Sequence, residues 1–284
     1  MINIIKASLY KLIHDWTFRI VLIVGTALAV FMSLLFLAID MGFKNQLTDA
    51  SNYINSYANG QNLLFNSLSP IQNFGFAIPI YLVILTVSEF NYGTIRNKII
   101  AGNKKSHIYL CLLISGLIFT FTIMSWYVLL SFGLGSLMGG FNPSGDTMSG
   151  ELIGHTLGRY ILIAVMAYIF VTCFSIFIAT LIRNIGGSLP IVIVVMLFLF
   201  IFAMVSKFTT IRYGYDDAGN FYTYYTYNAT KWFNPMFTFG ALSASYDGIK
   251  IDNDMFLAGL ITPAYWSVIF TFFGTLIFSK RDVK

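Results

Sequence analysis

Between Arg19 and Asp40 the chain runs from Ile20 to Ile39 without one charged side chain. A hydrocarbon core about 30 Å thick needs about 20 helical residues to cross it. A soluble helix would need a polar face for water, and this run has none. The feature recurs in five further apolar segments, at about 71–90, 108–138, 160–182, 185–205 and 256–278. The 108–138 segment is long enough to tilt or to extend beyond the bilayer. Barrel strands would read instead as alternating segments of about ten residues. The expectation is an all-α polytopic membrane protein with six transmembrane helices in one domain, residues 1–284. Pro79, Pro190 and Pro263 lie in or near spans, where neighbouring helices can satisfy the backbone groups they free, and kinks are expected there.

Charge placement sharpens this picture. Charged residues make up 10% of the chain, against about 25% in soluble domains. That excludes an ordinary cytosolic enzyme, a disordered protein and a secreted disulfide scaffold. Cys111 and Cys173 both sit inside apolar runs, as small membrane-buried residues do. Eleven of the seventeen Lys and Arg residues fall in the N-terminus, the 89–107 loop, the 183–187 link and the C-terminus. By the positive-inside rule these segments are cytoplasmic, with both termini inside. The net charge of +5 is spread along the chain, with no basic patch on a soluble module, so no nucleic-acid partner is expected.

Residues 1–18 carry a different pattern. Ile2, Ile5, Leu9, Leu12, Ile13 and Trp16 recur at helical spacing, while Asn3, Lys6, Lys11, His14 and Asp15 fall mostly on the other face. This predicts an amphipathic helix lying in the membrane interface. The first apolar run is longer than a signal-peptide core and no small-residue cleavage site follows it, so a cleavable signal is not expected.

Catalytic signals are sparse. No span carries a charge near its centre, where an ion-coupled carrier places its coupling groups. His14, His107 and His155 lie in three separate regions without metal-ligand spacing. The sequence has no G-x-x-x-x-G-K-[ST] phosphate loop, so nucleotide-driven work would need a partner. No catalytic residue, cofactor or metal is assigned to this chain.

The sharpest local signal is Ser88-Glu89-Phe90-Asn91-Tyr92-Gly93-Thr94-Ile95-Arg96-Asn97-Lys98-Ile99-Ile100-Ala101-Gly102, followed by Lys104, Lys105 and Tyr109. Gly93 permits a break where the membrane helix ends. Thr94 is a candidate N-cap for a short helix and Gly102 its stop. Ile95, Ile99 and Ile100 would form that helix's apolar face, with Arg96 and Lys98 polar. Such a unit beneath a membrane suits docking on another protein.

The segment resembles the E-x-x-x-G-T-[IL]-[RK]…G…[RK]…[IY] signature of ABC-type-2 exporter permeases. Glu89, Gly93, Thr94, Arg96, Gly102, Lys105 and Tyr109 match by position. Lys105 stands where Arg is common, and Leu110-Cys111-Leu112 replaces a stretch that often holds a basic residue. The resemblance implies a coupling helix between the second and third spans. Glu89, Gly93, Thr94, Ile95, Arg96, Asn97, Lys98, Gly102 and Lys105 would form the ATPase-coupling unit. It further implies two cytosolic ABC ATPase subunits binding ATP and Mg, and a second permease copy or a related permease. The location implied is a bacterial cytoplasmic membrane. A path lined by aromatic and aliphatic side chains suits amphipathic cargo, such as antimicrobial peptides, lantibiotic- or bacitracin-like antibiotics and hydrophobic drugs. Two other classes stay open: a non-transporting membrane sensor or assembly scaffold, and an ion-coupled carrier.

On the outer side, residues 40–70 could form an amphipathic segment, with Leu47, Tyr53, Ile54, Leu63, Leu64 and Phe65 as apolar positions. Residues 207–255 are rich in aromatics. Tyr222, Tyr224, Tyr225, Trp232, Phe233 and Pro235 are candidates for an outer gate, or for an aromatic belt at the interface. The resemblance implies that this segment forms re-entrant short helices before the last span. Ser131, Gly135 and Gly139 make a small-x-x-x-small series, a pattern that allows close helix approach without identifying an interface.

Overall fold

The computed structural model describes residues 2–44, 59–70, 73–141, 150–215, 221–225, 229–237 and 253–281. The helices are α1 (Ile2–His14), α2 (Trp16–Lys44), α3 (Gly60–Leu68), α4 (Ala77–Asn91), α5 (Thr94–Ile100), α6 (Lys105–Gly139), α7 (Gly150–Ile182), α8 (Ile185–Thr210) and α9 (Asn253–Lys280). Single 3₁₀ turns cover Asn73–Phe76 and Ala229–Trp232.

Among the described residues, five helices are long and apolar enough to cross a membrane: α2, α6, α7, α8 and α9. Among the described residues, a sixth crossing exists if α4 and α5, bent by 56° at their break, count as one span. The second span therefore differs from its expected 71–90 range. Its helix starts at Ala77 and has 15 residues, too few to cross alone. Exposed apolar side chains complete the picture of a multi-pass membrane protein. Ile23 and Phe31 on α2, Val194 and Phe198 on α8, and Val268 and Phe272 on α9 are each more than half exposed. Water would not tolerate such continuous apolar faces, whereas acyl chains cover them at little cost.

The centre is α6 and α7, with most of their apolar windows buried. Helix α9 packs chiefly on α7, α2 on α6, and α4 on α7 and α8. Lipid is as apolar as leucine, so close packing and buried polar contacts matter more here than dehydration. Tyr81 stacks on Phe119 at 4.0 Å between ring centroids. Thr120 and Thr172 hydroxyls meet at 3.0 Å between α6 and α7. The small-residue series acts within the chain: α3 lies across α6, and a Cβ on Gly135 would come within 2.7 Å of Leu63 and 2.9 Å of the Asn59 carbonyl. The start of α3 is capped by the Asn59 side chain, which accepts from the Asn62 N–H at 2.7 Å.

Helix breaks follow local chemistry. Asp15 separates α1 from α2, and its carboxylate accepts from the Thr17 N–H at 3.1 Å and the Thr17 hydroxyl at 2.9 Å. This is the N-cap geometry that Asp favours. Pro79 sits in the first turn of α4, where an N–H has no helical partner to lose. Pro190 and Pro263 lie inside α8 and α9, which continue through them.

Within the outer segment, residues 211–215 and 221–225 form strands where short helices are expected. Strands β1 (Ile211–Tyr215) and β2 (Phe221–Tyr225) form an antiparallel ribbon, with Ile211 opposite Tyr225 and Tyr215 opposite Phe221. The physical reason is legible. Ile, Tyr, Thr and Phe favour strands, and Asp216-Asp217-Ala218-Gly219-Asn220 between them has turn composition. Residues 238–252, and Leu47, Tyr53 and Ile54 of the first outer segment, lie outside the described residues.

Candidate functional site

The 89–109 unit is bracketed by two left-handed glycines. Gly93 has φ 67° and caps the N-terminus of α5, so Thr94 is the first helical residue, not the N-cap expected from sequence. The Thr94 hydroxyl turns back and donates to the Glu89 carbonyl at 2.8 Å, tying the new helix to the old one. A Cβ on Gly93 would meet nothing within 4 Å, so its requirement is conformational rather than steric. Gly102, with φ 84°, ends the helix. Its N–H reaches the Ile99 carbonyl at 2.9 Å, and the Asn103 N–H reaches the Lys98 carbonyl at 3.4 Å, the paired bonds of a Schellman stop.

The inner face of α5 is buried in a small hydrophobic cluster. Ile95 is fully buried there, and Ile99 packs alongside. The cluster joins Ile108, Tyr109 and Leu112 of α6, Cys173 and Ile176 of α7 and Phe278 of α9. Thus α5, packed on α4 and α6, shares one buried cluster with residues of three long helices. Tyr109 deepens this contact: a Cβ on Gly274 would lie 2.0 Å from its hydroxyl oxygen, so only glycine lets α9 approach.

The polar residues divide differently from the expected pattern. Lys98 points inward, and its ammonium lies 2.9 Å from a Glu89 carboxylate oxygen and 3.3 Å from the Ser8 hydroxyl. Glu89 is 5% exposed. A carboxylate this enclosed stays charged only with such a partner. Ile100, expected on the apolar face, is 74% exposed, and Tyr92 is 77% exposed. Together with exposed Arg96 and Asn97 they form the outward face. The reason is the Schellman stop: it ends the helix at Ile100, past the point where α6 covers it. Sequence reading missed the Ser8 contact, because a separation of ninety residues leaves no local signal.

Basic residues ring the same end. Lys105 donates to the Arg281 carbonyl at 3.0 Å, and the Arg281 guanidinium donates to the Leu181 carbonyl. Arg183 lies over the Phe90 ring at 5.1 Å and has φ 58°, a left-handed conformation uncommon outside glycine. Burial, and secondarily the Arg281 charge, holds the Arg183 guanidinium below its ordinary range.

At the other end, the candidate outer residues separate. Tyr222, Tyr224 and Tyr225 contribute backbone to β2, and their side chains lie outside the described residues. Trp232 and Phe233 are exposed, whereas Pro235 is buried. Their segment is fastened to α9: the Trp232 carbonyl accepts from the Tyr265 hydroxyl at 2.5 Å, and the Phe233 carbonyl from the Trp266 indole at 2.9 Å. Asn234 is buried, and its amide donates to the Leu199 carbonyl on α8 at 3.1 Å. Among the described residues, no three His, Cys, Asp or Glu side chains come together as a metal site requires.

No protein-family model matches this chain, and no curated protein matches it in sequence.

Proposed function

We propose that this chain is the membrane-spanning permease subunit of an ATP-driven ABC exporter, moving an amphipathic or hydrophobic substrate out of the cell. The observation that carries the reading is the two-faced α5. Its inner face packs on α6 within a buried cluster that also holds α7 and α9 residues, while Tyr92, Arg96, Asn97 and Ile100 face outward. In this reading a push on the outer face passes to α6 and on through the shared cluster. Such a lever needs a separate motor, and the chain has no phosphate loop of its own. In this reading ATP and Mg bind to two cytosolic ATPase subunits, two permeases pair, and the α5 end is cytoplasmic. Antimicrobial peptides and lantibiotic- or bacitracin-like antibiotics are the cargo class.

The test is a complex of the chain with its ATPase in proteoliposomes. Arg96→Glu reverses the charge of the docking face without touching the buried cluster. ATP hydrolysis should continue while transport falls about ten-fold or more. Glu89→Ala should uncouple in the same way by freeing α5 from α4. Transport that is unchanged in both variants, or that survives a hydrolysis-dead ATPase, overturns the reading.

A further inference from the structure

A cavity of about 310 Å³ opens beside the α1–α2 elbow, walled by α4 and the first residue of α8. Its size is at the low end for small-molecule sites. Asp15 and Thr17 contribute from the elbow, Tyr81, Ser88 and Asn91 from α4, and Ile185 from α8. Among the described residues, no Lys or Arg lines it. Exposed Asn91 and Tyr92 mark its rim, so it is reached from the α5 end of the molecule.

Two groups in this cavity keep hydrogen-bonding capacity that the fold leaves unused. The Tyr81 hydroxyl is buried and has no hydrogen-bond partner. The side chain is only 3% exposed, so the orphaned hydroxyl cannot be solvated as a surface tyrosine would be. One Asp15 carboxylate oxygen takes both bonds from Thr17, and no cation among the described residues pairs with Asp15. Asp15 and Tyr81 line the same cavity. The Ser88 hydroxyl donates to the Leu85 carbonyl at 2.8 Å and keeps lone pairs free to accept.

We propose that this cavity binds the ammonium head of a cationic amphiphile, with Asp15 as counter-ion and Tyr81 and Ser88 as hydrogen-bond acceptors. The chemistry is specific. A fixed negative charge disfavours a lone carboxylate, whereas an alkylammonium supplies three donors to three acceptors. The apolar flank at Leu85 and Ile185 lets a tail run into the surrounding lipid. Two sources share this head: a soluble amphiphilic amine and a phosphatidylethanolamine lipid. That the cavity admits cargo to the transport path rests on the exporter reading. The binding itself does not, and the experiment omits the ATPase so that the two can fail separately.

The probe is a photoreactive diazirine analogue of dodecylamine, applied to the purified chain in phosphatidylcholine nanodiscs, with labelled peptides mapped by mass spectrometry. Labelling should fall on the 81–92 segment and near Asp15. Dodecylamine should compete, and dodecanoate, with the opposite charge on a similar tail, should not. Asp15→Asn should weaken competition about ten-fold or more, the size of a charged hydrogen bond lost. Asparagine caps a helix as well as aspartate, so α2 keeps its start. Tyr81→Phe keeps the stack on Phe119 and should weaken competition several-fold. A merely structural Tyr81 would leave binding unmoved, so this variant decides the matter even if Asp15→Asn folds poorly. Nanodiscs containing phosphatidylethanolamine identify the source: suppressed labelling assigns the site to the lipid head, and undiminished labelling to the soluble amine. Equal competition by dodecanoate, or binding indifferent to both substitutions, overturns the proposal.

Discussion

Two ion pairs stand at opposite ends of this molecule, and they differ chiefly in how their carboxylates meet water. Glu89 and Lys98 meet at 2.9 Å with side chains 7% and 18% exposed. Lys231 and Asp254 meet at 3.5 Å, and Asp254 is 66% exposed. Lys231 also lies over the Trp232 ring at 5.3 Å, so its charge has a second partner. The first pair is desolvated, and removing one partner strands the other in a place water reaches poorly. In the second, the Lys231 side chain is only 11% exposed, but Asp254 stands open to water and salt, which screen the pair. Geometry therefore makes one pair a rigid joint between α4 and α5 and leaves the other a loose clasp on α9.

Breaking the tight joint should have the largest effect. Glu89→Ala should destabilise the chain by about 2–3 kcal/mol, because Lys98 is left enclosed without a counter-charge. Denaturant unfolding in mild detergent measures this. The double change Glu89→Leu with Lys98→Met should recover most of the loss, since it strands no charge. If the single substitution costs no more than a surface mutation, the joint is not the rigid element its burial implies.

The next effects probe the cluster that the joint serves. Gly274→Ala puts a Cβ 2.0 Å from the Tyr109 hydroxyl oxygen, and Tyr109 is fully buried with no room to swing away. Overpacking of this kind should cost about 2 kcal/mol, read as a lowered melting temperature. Gly93→Ala meets no neighbour and strains only the backbone at φ 67°, so about 1 kcal/mol is expected. A larger penalty at Gly93 than at Gly274 would mean that the turn, not the packing, limits this end.

The same contrast explains what the sequence made legible. Spans are set by local composition, so α2, α6, α7, α8 and α9 stand where long apolar runs stand. The two glycines around α5 were also readable, because left-handed turns have few substitutes. Packing was not. Whether Ile100 faces in or out depends on where α6 ends its cover, and that Lys98 turns inward depends on Glu89 and on Ser8 from the far N-terminus. The β1–β2 ribbon was missed for a different reason. Its strand and turn composition was present, but a short ribbon is a weak pattern next to the strong helical signal on either side.

The loose clasp supplies the smallest prediction, and the most discriminating one. Asp254→Asn keeps the side chain's shape and removes its charge. A screened pair at 3.5 Å with one partner mostly exposed should contribute under about 0.5 kcal/mol. Lys231 keeps its place over Trp232, and its carbonyl still accepts from the Thr262 hydroxyl at 3.1 Å. Stability should therefore be nearly unchanged, and raising the salt concentration should erase even the residual difference. A loss comparable to that of Glu89→Ala would show that the outer segment is held by charge after all. The contrast drawn from burial would then fail, because exposure would no longer predict which pair bears strain.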